Sequence, residues 1–312
     1  MRHIRSLIVI GEMSSSTRLV AGLICLLVVF SFSYPFFLVI GKVAGVDLSS
    51  FKNVVAGLDA DMGSLKYLQA AQHISLFILP VLFWSWLSDG NLTTYTGLGR
   101  IPLAENILLI MLMAFLLFPV NSYASSINQG LRLPEWLSGV ETWILGREAA
   151  GEKITIALMS TGNIAGLVTN LLVLAILPAF GEELFFRGFL QKNLGNILQS
   201  GHLAVVVTAI IFSTLHFQFL GFLPRFLLGV FYGYLFLWSQ SVWLPVIAHF
   251  VNNAVPVMLS YLYGWSTVNS TSNEIATDKP VLPAVSLIAL VALMLYSRRI
   301  LDRQVNGKPR FF

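Results

Sequence analysis

Three short polar clusters interrupt hydrophobic runs in the second half of the chain: Gly181-Glu182-Glu183-Leu184-Phe185-Phe186-Arg187, Phe212-Ser213-Thr214-Leu215-His216 and His249-Phe250-Val251-Asn252-Asn253. A charged group at membrane depth costs about 2.5–3.5 kcal/mol on insertion scales, so those that remain point to function. Glu183 and Arg187 are four apart with the acid first, the favourable order for an ion pair on one helix face. Glu182 points about 100° away on the 3.6-residue period, which predicts a carboxylate free to act as general base or acid. The bland alternative is that both glutamates mark a membrane exit together with Arg187 and Lys192.

His216 lies four residues after Phe212, among small hydroxyls, and a lone histidine in that place is more often a hydrogen-bonded packing residue than a catalyst. His249 and Asn253 are also four apart, so one helix face presents an imidazole and a carboxamide together. That pair suits an interhelical clamp or a donor pair for an oxyanion. Three separate spans, each supplying one such cluster, argue for a convergent site.

The elements that must position these groups are membrane helices. The 312 residues are 56% hydrophobic and only 11% charged, against roughly 25% charged in a soluble domain. Apolar runs of spanning length extend over Leu19 to Ile40, Ala71 to Leu87, Ile107 to Val120, Ile164 to Phe180, Leu203 to Leu220, Phe226 to Trp238, Val242 to Tyr263 and Val281 to Ser297. The expected architecture is all-α, a multi-pass transmembrane helical bundle of about eight helices. It is read as one integral membrane domain over 1–312, with a motif-bearing core at about 160–263. Ser239, Gln240 and Ser241 must divide an otherwise uncharged stretch from Phe226 to Asn273, which predicts a tight helical hairpin.

The net charge of +4 does not gather on a groove-binding element, so nucleic acid is not an expected partner. Arg2, Arg5 and Arg18 precede the first run, and Arg298, Arg299, Arg303, Lys308 and Arg310 follow the last. An even number of spans and the positive-inside rule predict a cell-membrane protein with both termini cytoplasmic. The first run is too long for a signal-peptide core and reads as an uncleaved anchor. Cys25 is the only cysteine, so no intramolecular disulfide or thiolate metal cluster is expected. The segment from Asn121 to Lys153 mixes Trp136, Trp143, Leu137, Ile144 and Leu145 with charges. It suits an amphipathic interfacial helix or an ordinary loop helix covering the bundle.

The ordered set Glu-Glu-x-x-x-Arg, Phe-x-x-x-His and His-x-x-x-Asn resembles the CAAX prenyl protease and bacteriocin-processing (Abi) family of intramembrane endopeptidases. The resemblance covers roughly Ile164 to Ser260. It implies an all-helical membrane bundle whose site opens to the cytosolic face. It also implies that Glu182 and His216 activate a water, that His249 and Asn253 stabilise the tetrahedral oxyanion, and that Glu183 and Arg187 support them. The implied substrate is a peptide bond of a membrane-embedded or membrane-tethered, CAAX-type protein or peptide.

No cofactor is expected for such a glutamate-type hydrolase. The zinc alternative uses the same glutamates and histidines with one position left for water, although no His-Glu-x-x-His pair is present. A proton-coupled transporter is a second alternative, since intramembrane Glu, His and Arg form proton relays. A non-enzymatic membrane immunity factor that kept the bundle is a third.

Overall fold

The structure is a computed structural model that describes residues 13–88, 91–277 and 281–305. The basic residues Arg2, Arg5, Lys308 and Arg310 lie outside the described residues. Long apolar runs leave every backbone polar group to be satisfied internally, and the helix does this without a partner strand. The described residues accordingly form helices and no strand.

In chain order these are α1 (Ser15–Val43), α2 (Ser50–Ala56), α3 (Met62–Ser88), α4 (Leu92–Thr96), α5 (Ala104–Gln129) and α6 (Ser138–Met159). They continue as α7 (Ile164–Leu198), α8 (Gly201–Thr214), α9 (Phe222–Ser239), α10 (Trp243–Tyr263), α11 (Trp265–Thr277) and α12 (Val281–Val305). Seven of them, α1, α3, α5, α7, α9, α10 and α12, are long and apolar enough to cross a membrane. The chain is a multi-pass helical bundle, as its composition requires.

Two of the expected spans differ. The fourth run, taken to end at Phe180, continues to Leu198 as one 35-residue helix, because Glu183, Arg187 and Gln191 are buried in pairs rather than exposed at an exit. Glu182 therefore sits near the midpoint of α7, not at its end. The fifth run, expected to reach Leu220, stops as a 14-residue helix at Thr214. At 1.5 Å per residue α8 is about 21 Å long, short of the roughly 30 Å hydrocarbon core. Phe217, in the left-handed region at φ 52°, turns the chain there.

The hairpin expected at Ser239–Ser241 is present, with Gln240 at φ 54° closing α9 and α10 starting at Trp243. The segment 121–153 is divided. Its first part completes α5 to Gln129, and its second forms a 3₁₀ turn and α6. α6 is tied to its neighbours by Lys153 Nζ, which donates to Val55 O at 3.0 Å, and by Glu148 Oε1, which accepts from Leu220 N at 2.9 Å.

Two apolar clusters build the interior. One joins α5, α9, α10 and α12 through Met113, Tyr232, Leu235, Leu244, Val251 and Leu290. The other joins α1, α3, α4, α7 and the end of α8 through Leu26, Trp84, Tyr95, Phe186, Phe189 and Phe212. α8 and α9 approach closely where small residues face each other, as lipid-embedded helices do. A Cβ on Gly229 would stand 3.0 Å from Ala209 Cα. Three wide, π-helical segments interrupt the α geometry, at Ile74–Ile78 in α3 and at Leu171–Ile176 and Leu184–Gln191 in α7. Such turns recur at functional sites, and here the last two flank the stretch that carries Glu182 and Glu183.

Candidate active site

α7 supplies two adjacent carboxylates. Glu183 is fully buried and accepts from Arg187 Nε at 2.7 Å through Oε2, the ion pair that its spacing predicts. Its Oε1 lies 3.0 Å from His249 Nδ1 on α10. Arg187 passes the connection on, since its Nη1 donates to Gln191 Oε1 at 3.2 Å and Gln191 Nε2 donates to Gly233 O on α9 at 3.0 Å. One chain of polar contacts thus ties α7 to both α10 and α9. A buried guanidinium is tolerable only with such partners.

Glu182 faces the other way, as the helical period requires, but it is not free. Its Oε1 is 3.2 Å from His73 Nε2 on α3. Its Oε2 is buried without a hydrogen bond and lies 4.0 Å from His249 Nε2. The expectation of an uncommitted carboxylate holds for one oxygen only. The sequence carried a signal for the missing partner: Gln69 and His73 stand four apart at the start of the second apolar run.

His249 is 5% exposed and stacks on Tyr232 with ring centroids 4.9 Å apart, while the Phe212 ring meets it edge-on at 6.2 Å. Aromatic surfaces from the two apolar clusters therefore fix its plane. His216 sits on the turn after α8, not inside a helix, and its Nδ1 donates to Phe212 O at 2.7 Å. A carbonyl only accepts, so Nδ1 bears the proton and a neutral ring leaves Nε2 as an acceptor. The early end of α8 also brings His216 level with Glu182. From the α7–α8 turn, Glu182 is about 24 Å back along α7, and the end of α8 is about 21 Å away at 1.5 Å per residue.

Glu182, His216, His249 and Asn253 all line one cavity of about 260 Å³, together with Phe212, Arg225, Leu228, Tyr232 and Asn252. Glu183 and Arg187 stand behind it. Arg225 was not singled out by any sequence pattern. It also borders a second, wider cavity of about 690 Å³ lined by Glu148, Glu152, Gln218 and Trp265. Its guanidinium donates to the backbone and side-chain carbonyl oxygens of Gln218. Among the described residues, no three His, Cys, Asp or Glu side chains are disposed to hold a metal ion together.

A carboxylate oxygen without a partner, an imidazole acceptor, a second imidazole and a half-buried carboxamide thus share one small cavity. That set is able to hold a water, take its proton and face a developing negative charge. Residues 164–255 match the family described as Rce1-like, type II CAAX prenyl endopeptidase, over less than a third of the chain. The uncharacterized protein YpbD of Bacillus subtilis (strain 168) is 29% identical over 92 residues, which are 28% of this chain and 44% of that protein. The match thus spans less than half of that curated relative. No solved structure matches the chain significantly. By the order of its three motifs and by this match, the segment 164–255 is similar to the Rce1-like type II CAAX prenyl endopeptidases.

Proposed function

We propose that this protein is an intramembrane endopeptidase that hydrolyses a peptide bond of a membrane-embedded or membrane-tethered substrate of the CAAX type. The observation that carries the proposal is the single cavity shared by Glu182, His216, His249 and Asn253. Its volume of about 260 Å³ lies below the roughly 300–1,000 Å³ of drug-sized pockets. Only a short extended stretch of peptide fits beside those groups.

Glu182 Oε2 takes a proton from a water whose other contact is His216 Nε2. The water oxygen bonds to the scissile carbonyl carbon, and the carbonyl oxygen takes up the negative charge. His249 and Asn253 donate to that oxyanion. Collapse breaks the C–N bond, and the proton held by Glu182 passes to the leaving nitrogen. His249 carries a condition of its own: with Nδ1–H committed to Glu183 Oε1 at 3.0 Å, its Nε2 donates only when the ring is an imidazolium. Asn253 has a carboxamide with no hydrogen bond to another described residue, which leaves its N–H free to donate.

The matching test is Glu182→Ala in reconstituted vesicles, assayed with a quenched fluorogenic peptide ending in a farnesylated CAAX sequence. Cleavage by the wild type and its loss in a folded variant are expected. Retained cleavage in the variant, or none by the wild type, overturns the proposal. Full activity after exhaustive chelation, with no stoichiometric zinc, excludes the zinc form. A proton-coupled transporter instead predicts flux that survives Glu182→Ala with its ion dependence intact.

A further inference from the structure

Catalysis by Glu182 needs one oxygen offered to water, and the other must be held so that the carboxylate does not turn away. His73 Nε2 stands 3.2 Å from Glu182 Oε1, and both side chains are buried. A carboxylate oxygen only accepts, so Nε2 carries a proton in this contact. Nδ1 of the same ring faces Gln69, one turn earlier on α3. Both Gln69 O and Gln69 Nε2 lie 3.2 Å from it. Gln69 thus supplies an acceptor when Nδ1 is protonated and a donor when it is bare, and the ring keeps its orientation in either state. Phe77 packs against the ring at 5.5 Å between centroids, and the wide turn Ile74–Ile78 begins at the next residue.

We propose that His73, held by Gln69 on α3, is a positioning residue that fixes Glu182 Oε1 and thereby aims Oε2 into the cavity shared with His216, His249 and Asn253. This rests on the assignment of Glu182 as the base. His73 lies outside the segment 164–255, so the first half of the chain completes a site whose motifs all lie in the second. Fixing one carboxylate rotamer acts on the geometry of attack. The effect belongs in kcat, because His73 does not line the cavity that would take the peptide.

Full-length wild type, His73→Leu, His73→Asn, His73→Gln and Glu182→Ala are to be compared in the same vesicles with the same farnesylated peptide. His73→Leu removes the donor and is expected to lower kcat about 10–100-fold, the range seen for outer-shell partners. KM should stay within about twofold, as for a residue that does not bind substrate. His73→Gln returns an N–H near the position of Nε2 and should recover most of kcat. His73→Asn falls one methylene short and should keep the thermal midpoint of the Gln variant without its activity, which separates donor position from folding. Wild-type kcat in His73→Leu, a change confined to KM, or a Gln variant no better than Asn overturns the role of His73. Cleavage surviving in Glu182→Ala overturns the base assignment instead, a different result from a different variant.

Discussion

The first helix and the tenth are both apolar enough to cross a membrane, yet they relate to the bundle in opposite ways. Within its most apolar stretch α1 has 6% of its residues buried, against 44% for α10. α1 turns Leu27, Phe32 and Val39 outward at 65%, 77% and 63% exposure. α10 turns His249 inward onto Glu183, Tyr232 and Phe212. Lipid is as apolar as a leucine side chain, so hydrophobicity alone gives α1 a place in the bilayer but little hold on its neighbours. Polar burial gives α10 its fixed rotation, since an unmet charge or amide there is expensive.

Substitutions can break this contrast in a graded series. Glu182→Ala removes the proposed base, and cleavage in vesicles should fall by about 10²–10⁴-fold, the typical weight of general acid–base catalysis. Arg187→Leu leaves Glu183 buried without its cation. A loss of about 3–5 kcal/mol is expected for an ion pair broken on one side, read as a lower unfolding midpoint in detergent along with lost activity. Asn253→Ala should lower kcat by about 10²–10³-fold, as for one oxyanion donor, while the unfolding midpoint holds. Leu27→Ala on the outward face of α1 should change stability by less than about 0.5 kcal/mol, as away from packed sites, and leave cleavage at the wild-type rate. If Leu27→Ala weakens the protein as much as Arg187→Leu does, the contrast between the two helices is wrong.

The same contrast explains what was legible in the sequence. Glu183 with Arg187 follows from helical spacing, and the hairpin at Ser239–Ser241 follows from a stretch too long for one span. Local pattern suffices in both cases. The end of α7 was misplaced because Glu182, Glu183, Arg187 and Lys192 look like an exit to water. Contacts to other helices override that appearance: His249 for Glu183, the Gly233 carbonyl for Gln191, and the Tyr95 carbonyl for Lys192 at 2.8 Å. The break after Thr214 depends on a left-handed residue, Phe217, that is not glycine, so no turn residue announces it. His73 was passed over because its spacing from Gln69 marks only a local pair, while its partner Glu182 lies 109 positions along the chain.

The wide turn at Leu184–Gln191 has a consequence for how this helix tolerates insertion and deletion. A π-helical turn holds more residues than an α-turn, so it behaves as added chain absorbed within a continuous helix. Removing one residue there would let the segment relax to ordinary α geometry. The residues beyond the deletion would then keep nearly their present orientation relative to Glu182 and Glu183, and Gln191 would stay within reach of Gly233 O. The same deletion in the ordinary α stretch Lys192–Leu198 has no surplus residue to absorb it and would rotate everything beyond it by about 100°. Two single-codon deletions that look alike by hydropathy would therefore differ, the one in the wide turn being tolerated and the one just after it breaking the register of the helix end.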